Sequence, residues 1–302
     1  MTELVIRALA PGEEQLFESL PDAGIVGFAA AGNTYSTMDY RPEWTWIALR
    51  EGTVVARAAW WGAPDDAEPL ALDWFDFTDA DAAVRLLRAA PFNTEYQIRM
   101  PPDYQARPDV RAEATRRIDA ARAAGLVPLV KRNRYRWTPA CGLPDRPGRL
   151  VFRPEPDDAV ILAVLRDIAH GSLDAHELRD IEQGGYDLAA KNELEHLRWQ
   201  PGPREWWRLA WTESGELAGL VVPSRNYSDP VIDFVGVVPA QRGHGYAYDL
   251  LVEGTHLLVE QGADRIIAST DVTNTPMAAT FAKAGYPVEW YLVDLSPRPT
   301  TT

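Results

Sequence analysis

The stretch Val231–Ala247, VIDFVGVVPAQRGHGYA, is the part of the chain that decides its fold. The first half is rich in β-branched residues and ends at Pro239, which predicts a strand. Arg242, Gly243 and Gly245 then form a short loop, and apolar residues at helical spacing follow directly. A strand that enters a helix through a glycine-rich loop points several backbone amides in one direction. This arrangement favours an anion, above all a pyrophosphate.

The spacing of the loop excludes two familiar phosphate-binding motifs. A Walker-type loop needs a Gly-Lys-Ser/Thr ending, which is missing here. A dinucleotide-binding loop needs a third glycine where this chain has Tyr248. What remains is the pattern Arg-x-x-Gly-x-Ala, formed by Arg242, Gly245 and Ala247. Taken alone, the same residues also fit a plain surface turn between a strand and a helix.

A second informative segment follows the predicted helix. A short apolar strand pattern ends near Asp271, and Asn274 comes three residues later, followed by Met277. We predict a helix that Thr275 caps and that Gly285 ends. The alternative for Asn274 is a turn-forming residue with no ligand.

Together these segments resemble the acyl-CoA site of the GNAT superfamily of acyl-CoA-dependent N-acyltransferases, over residues 204–295. The resemblance implies acetyl-CoA, or another acyl-CoA, as cosubstrate and no metal. It implies that Asn274 and Met277 lie along the pantetheine arm. It also implies that a backbone N–H near Val237 or Val238, where the fourth strand parts from the fifth, polarises the thioester carbonyl. The predicted donor-binding residues are Val237, Val238, Arg242, Gly243, His244, Gly245, Tyr246, Ala247, Asn274 and Met277.

Two aspartates are predicted as catalytic, because the usual general base of the family is a carboxylate on or near the fourth strand. Strand alternation places Asp233 on the same face as Val235 and Val237. The competing candidate is Asp271, at the carboxyl end of the next strand. For Asp233, a merely solvated position at the start of a strand is the structural alternative.

The sequence departs from the family pattern at Phe281. Many family members have a tyrosine there, which protonates the departing CoA thiolate. Phenylalanine has no proton to give, so Tyr286, Tyr248 or solvent would have to act, or the reaction differs from ordinary N-acetylation.

The segment Pro156–Gln200 is predicted to form helices on the acceptor side. Its acidic residues Asp174 and Glu177 are predicted to bind an amine, and a solvated helix start is the alternative. His170 and His176 lie six residues apart, which does not align ligands on a helix, and no metal site is predicted.

Composition narrows the class of protein. The chain has 302 residues, of which 46% are hydrophobic, enough for two cores. Residues 150–302 contain 23 acidic and 12 basic side chains, and the whole chain has a net charge of −14. This field repels nucleic acid and anionic membranes and attracts cationic amines. A single cysteine and no signal or membrane-span pattern predict a cytoplasmic protein, and nothing in the sequence indicates its oligomeric state.

The chain repeats itself. Trp46–Arg57 and Trp207–Gly219 both have a strand, turn, strand pattern, and a proline- and glycine-rich stretch lies between the copies. We predict an α/β (α+β) protein of tandem GNAT-like domains, each a mixed, mostly antiparallel central sheet flanked by helices. The domains are 1–137, a degenerate copy without the CoA loop, and 150–302, with the acyl-CoA site, joined by a linker at 138–149. The layout resembles that of mycothiol synthase.

The first copy is predicted to bind no CoA, because its loop region Leu72–Asp81 has no glycine and contains four aspartates. The predicted function is therefore transfer of an acyl group, most simply acetyl, to a primary amine of a small molecule by the C-terminal domain. Two alternatives remain open at this point. One is a catalytically inactive acyl-CoA-binding sensor or scaffold, and the other is a relative with another acyl donor or an oxygen or sulfur acceptor.

Overall fold

The computed structural model describes residues 3–21, 24–36 and 39–298. The chain forms two compact units. Unit 1 comprises Met1–Lys131 together with Trp290–Thr302, and unit 2 comprises Arg132–Glu289.

Unit 1 contains a six-stranded mixed sheet with helices around it. Its strands are β1 (Leu4–Ala8), β2 (Thr45–Arg50), β3 (Thr53–Trp61), β4 (Ala71–Phe77), β5 (Glu95–Met100) and residues 290–297 of β12 (Val288–Pro297), in the order β1-β2-β3-β4-β5-β12. Its helices are α1 (Glu14–Glu18), α2 (Ala80–Ala89) and α3 (Pro108–Ala124). Only β4 and β5 pair in parallel, and the other neighbours are antiparallel.

Unit 2 repeats this arrangement. Its strands are β7 (Leu150–Pro154), β8 (Arg208–Thr212), β9 (Leu217–Arg225), β10 (Pro230–Val237), β11 (Ile266–Asp271) and residues 132–137 of β6 (Leu126–Trp137), in the order β7-β8-β9-β10-β11-β6. Its helices are α4 (Asp158–Ile168), α5 (Ala175–Trp199), α6 (Tyr246–Glu260) and α7 (Thr275–Lys283). The single parallel pair is β10 with β11.

These sheets confirm the predicted fold class, a mixed, mostly antiparallel sheet flanked by helices. The compact units nevertheless have other boundaries than the predicted segments 1–137 and 150–302. Residues 132–137 pair with all six residues of β11, and β12 pairs with β5 over five residue pairs. Each sheet is therefore completed by the last strand of the other predicted segment. Sequence periodicity finds such a strand, but it does not show which sheet the strand joins.

Helices cover both faces of the sheet in unit 2. Leu250 of α6 packs with Ala218 and Val221 on one face. Helices α4 and α5 pack together with Leu220 and Val222, whose side chains point to the other face. Helix α5 is interrupted at Gly184 and Gly185, which have non-helical backbone angles. None of the helices within the described ranges is long and apolar enough to span a membrane.

The exchanged strands make a prediction for fragments of the chain. A fragment of residues 150–302 lacks β6, so the backbone groups of β11 that pair with it lose their partners. We expect this fragment to be largely insoluble or to melt without a cooperative transition, whereas a fragment of residues 126–302 retains β6 and stays soluble. Soluble yield and a thermal melt followed by circular dichroism compare the two. Equal yields and melting curves would contradict the assignment of β6 to unit 2.

Candidate active site

The site is built where β10 parts from β11. The two strands are paired only at Val231 and Ile267, and beyond this pair they separate. A β-bulge interrupts the pairing of β10 with β9 between Ile232 and Phe234, and such bulges bend a strand. An opening therefore runs along the carboxyl half of β10, as the family resemblance implies.

The backbone of β10 offers amides to this opening, but Val238 does not. The Val238 N–H donates to the Ala218 carbonyl at 3.1 Å, so Val238 was wrongly predicted as a carbonyl-polarising donor. In an antiparallel ladder the amides alternate between the two sides of the strand. The N–H groups of Val235 and Val237 therefore point away from β9 and toward the opening.

The loop between β10 and α6 forms a concave row of amides. Gly243 and Gly245 have left-handed backbone angles, with φ of 83° and 76°, which a glycine adopts without strain. Consecutive amides in such a turn point toward one centre and attract an anion, and the positive end of the α6 dipole lies at the same place. The amides that donate to no group of the described chain belong to Gly243, His244, Gly245, Tyr246 and Ala247.

The Arg242 guanidinium is bonded to backbone carbonyls and is not free to bind an anion at this row of amides. Its Nη1 donates to the His170 carbonyl at 2.5 Å, its Nη2 to the Ile168 carbonyl at 2.7 Å and its Nε to the Val237 carbonyl at 3.2 Å. The predicted contact of this side chain with a pyrophosphate is replaced by contacts with backbone carbonyls. Two of these carbonyls lie at the end of α4, where the last turn of a helix leaves them without partners.

Arg149 is a residue of the site that the sequence interpretation missed, because it stands in the predicted linker. Its Nη1 donates to the His244 carbonyl at 3.0 Å and its Nη2 to the Gly245 carbonyl at 3.2 Å. Its Nε also donates to the buried Asp249 carboxylate at 3.0 Å. By binding the carbonyls of the loop from one side, Arg149 holds the peptide planes so that their amides face the other side.

Asp233 occupies the bulge of β10. The extra residue resets the side-chain alternation, so the prediction that Asp233 shares a face with Val235 and Val237 is wrong. Those two valines pack in the cluster with α6, whereas Asp233 contacts α5. Gln200 Nε2 donates to Asp233 Oδ1 at 3.3 Å, while the buried Oδ2 has no hydrogen-bond partner among the described residues.

Asp271 is committed to other contacts. Its Oδ2 accepts from the Ala175 N–H at 2.8 Å, and Arg132 Nε lies 3.2 Å from its Oδ1. Burial raises the pKa of this carboxyl, and Asp174 nearby adds to that effect. Asp271 therefore joins β11 to the start of α5 and, through its ion pair with Arg132, to β6. Both carboxylates have one buried oxygen without a hydrogen-bond partner among the described residues, Oδ2 in Asp233 and Oδ1 in Asp271.

The acceptor side is crowded with negative charge. Asp174 caps α5 by accepting from the amides of His176 and Glu177. This is the helix-start role that was the alternative to amine binding for Asp174. Burial raises the pKa of Glu177. Burial also raises the pKa of Glu193 to about 7; His196 opposes this shift, while the carboxylates of Asp233, Asp174 and Glu177 strengthen it. A bound cation would relieve this repulsion.

Helix α7 follows the predicted pattern with one change of cap. Asn274, and not Thr275, is the cap, since its Oδ1 accepts from the Met277 N–H at 3.2 Å. The Asn274 amide NH₂ makes no hydrogen bond with any described residue, so it stays available for a ligand. Met277, on the first turn of α7, is half-buried and packs against the cluster that contains Phe281 and Ala268.

The side chains around Phe281 limit the choice of proton donor. Phe281 is buried and stacks on Tyr135 of β6, with ring centroids 4.2 Å apart. The Tyr286 hydroxyl is buried and bonded to Thr255 Oγ1 at 2.7 Å, and burial raises its pKa. Tyr286 is therefore wrong as a proton donor to the CoA sulfur. Tyr248, with Lys283 4.0 Å from its ring centre, remains a candidate by position.

The corresponding region of unit 1 is built differently. Only two residues join β4 to α2, and Asp79 caps the helix by accepting from the Ala82 N–H at 3.0 Å. Arg50 Nε in turn donates to Asp79 at 2.7 Å. The start of α2 therefore already has an anion of its own. That this copy binds no CoA stays a prediction.

His170 and His176 do not meet in a metal site. The His170 ring stacks on Tyr186 with centroids 3.9 Å apart, and its Nδ1 lies 3.0 Å from the Arg166 carbonyl. Within the ranges that the structure describes, no group of three histidine, cysteine, aspartate or glutamate side chains is placed to hold a metal ion.

Comparison with solved structures supports the architecture. A GCN5-related N-acetyltransferase from Sphaerobacter thermophilus matches with a TM-score of 0.55 and 15% identity, over 97% of this chain and 94% of that chain. A tandem GNAT protein from the clavulanic acid biosynthesis pathway matches with a TM-score of 0.50 and 15% identity, over 97% and 98%. At such low identity these matches show the GNAT fold, and they do not single out the layout of mycothiol synthase. No curated protein matches the sequence.

Gly243 and Gly262 form a matched pair for testing the loop. Both have left-handed backbone angles, with φ of 83° and 85°, and at both an added Cβ would meet nothing within 4 Å. Gly243→Asp and Gly262→Asp should therefore cost similar folding free energy, on the order of 1–2 kcal/mol. Only Gly243→Asp puts a carboxylate at the row of amides. We expect its affinity for CoA, measured by calorimetry, to fall at least about tenfold while Gly262→Asp retains wild-type affinity. Equal affinities in the two variants would contradict the site.

Arg242→Ala is expected to lower the stability of the protein. The change removes a charged donor from the carbonyls of Ile168 and His170, and the cost should be about 1–3 kcal/mol in urea unfolding. Arg166→Ala, also on α4, is the control, because Arg166 pairs only at the surface with the exposed Asp187 and should cost under about 1 kcal/mol. Equal losses in both variants would show that Arg242 does not hold the end of α4.

Sequence comparison finds a family model that matches one segment of the chain. The model of the Acetyltransferase (GNAT) family matches residues 175–286, which include α5, the loop, α6, β11 and α7. This range contains both segments that carried the resemblance. The chain therefore contains a GNAT acetyltransferase domain.

Proposed function

We propose that the protein transfers an acyl group from acyl-CoA, most simply acetyl from acetyl-CoA, to a primary amine of a small molecule. The site is the opening between β10 and β11 in unit 2. One observation carries the proposal: the five consecutive amides from Gly243 to Ala247, which lead into α6, donate to no group in the described part of the chain, and they follow the strand that separates from β11.

The donor side follows from this geometry. Amides from Gly243 to Ala247 bind the pyrophosphate, and Arg149 supports them from behind. The family resemblance then directs the pantetheine arm past Asn274 and Met277, so that the thioester reaches the free amides of β10. The Val237 N–H is the proposed donor to the thioester oxygen, since Val238 is already bonded to β9.

The acceptor side supports a cationic substrate. Carboxylates of Glu177, Glu193 and Asp233 share a small region, and burial makes their mutual repulsion costly. A primary amine that arrives as an ammonium ion compensates these charges. Asp233 is the carboxylate proposed to take part in the proton transfer, because Asp271 accepts from the Ala175 N–H and is paired with Arg132, whereas Asp233 contacts Gln200 and His196.

A thiol-release assay tests the proposal. Acetyl-CoA is mixed with the protein and a panel of monoamines, diamines, polyamines and aminoglycosides, and free CoA is followed with a chromogenic disulfide. Asp233→Asn is expected to lower kcat about 10–100-fold with unchanged CoA affinity. Asp271→Asn should instead lower the melting temperature, because Arg132 loses the nearer and more buried of its two carboxylate partners, and the folded enzyme should retain its kcat. Normal turnover by Asp233→Asn would remove Asp233 from the mechanism.

Phe281 favours a second candidate, an acyl-CoA-binding sensor without catalysis, because the family's proton-donating tyrosine is replaced by a ring with no hydroxyl. A sensor binds CoA and releases no thiol with any acceptor. If longer acyl-CoA donors, alcohols or thiols support release where acetyl-CoA and amines do not, the protein uses another donor or an oxygen or sulfur acceptor.

A further inference from the structure

His196 of α5 lies beside Asp233 of β10. Its Nε2 lies 3.6 Å from Asp233 Oδ1. The imidazole is half-exposed, with 50% of its side-chain surface open to solvent, whereas the carboxylate behind it is only 9% exposed. An exposed ring therefore covers a buried carboxylate whose second oxygen is without a partner.

The sequence places this pair through the spacing of α5. Glu193, His196 and Gln200 lie at i, i+3 and i+7, which puts them in one row along the helix. The bulge of β10 turns Asp233 toward that row, and Gln200 at the end of α5 donates to the same carboxylate oxygen that faces His196. Gln200 thus helps to fix the carboxylate opposite the imidazole.

We infer that His196 is a catalytic residue that takes the proton from the acceptor amine, while Asp233 is a positioning residue that holds the ring and stabilises its charged form. The inference rests on the proposed acyl transfer. The carboxylate attracts the proton on Nε2, which leaves the lone pair on Nδ1 to accept a proton from the substrate. Paired in this way, the exposed ring is a stronger base because of the buried carboxylate beside it, and the ring, unlike the carboxylate, is open to an acceptor.

The proton and electron movements are simple. An acceptor that arrives as ammonium first releases one proton to the imidazole, which passes it to solvent. The neutral nitrogen then attacks the thioester carbonyl carbon, a C–N bond forms, and the C–S bond breaks with its electron pair going to sulfur. Nitrogen gives one proton to Nδ1, the thiolate takes up one proton from solvent, and the imidazolium returns its proton to solvent. The products are the amide and CoA.

The charged groups around His196 come from three elements. Asp233 on β10 raises the pKa of His196, and Glu193 on α5 acts in the same direction. Arg132 on β6 opposes them. At pH values below its pKa the ring is protonated and cannot accept a proton, so kcat should fall as the pH decreases through that value. Because Asp233 raises the pKa, Asp233→Asn should move this acid limb to lower pH.

The experiment compares pH–rate profiles of full-length variants, with acetyl-CoA and the best amine from the panel. His196→Gln is expected to lower kcat about 100-fold, to lose the acid limb and to bind CoA normally by calorimetry. Added imidazole should restore part of the activity of His196→Ala. Glu193→Gln should keep the limb, moved to lower pH because Glu193 raises the pKa of His196, whereas loss of the limb would identify Glu193 as the base.

His170→Gln is the matched control, since His170 is another exposed, ring-stacked histidine of the same unit. It should retain the wild-type profile. His196→Gln with a kcat within threefold of wild type and an unchanged acid limb overturns the inference and leaves the proposed function standing. A wild-type protein that binds CoA and releases no thiol with any acceptor overturns both.

Discussion

The site depends on a row of backbone amides that the fold leaves without partners. At the start of any helix the first amides lack intrahelical acceptors, and here two left-handed glycines extend that row backwards into the loop. At the equivalent helix of unit 1, the carboxylate of Asp79 accepts from the first-turn Ala82 amide and so supplies a fixed negative charge. The two copies therefore differ in the cap of this helix. In unit 1 a side-chain carboxylate occupies the helix start, and in unit 2 no side chain caps it.

The arginines around this row have a supporting task. Arg242 and Arg149 both spend their charge on backbone carbonyls, one at the end of α4 and one on the loop itself. Positive charge near an anion site is usually interpreted as direct contact. In this chain the charge fixes the positions of the peptide groups, and it is their amides that a ligand at the proposed site would meet.

Much of this was accessible from the sequence, and the limits have physical reasons. The strand, loop and helix around Gly245 are local patterns, so periodicity and residue type predict them. Helix α7 is predicted in the same way, but its cap lies one residue earlier than predicted, at Asn274. The side chain of Asp233 was placed on the wrong face because a β-bulge adds one residue without any clear sign in the sequence. His196 and Arg149 were missed because their partners lie 37 and 100 positions away in the chain and only the tertiary fold brings them together.

The exchange of end strands determines where the chain can be divided. Residues 132–137, from the copy without a CoA loop, complete the sheet of unit 2, and residues 290–297 complete the sheet of unit 1. A cut at the predicted linker would therefore leave each segment with a sheet that lacks its last strand, and two separately produced segments would each carry the strand that the other one needs.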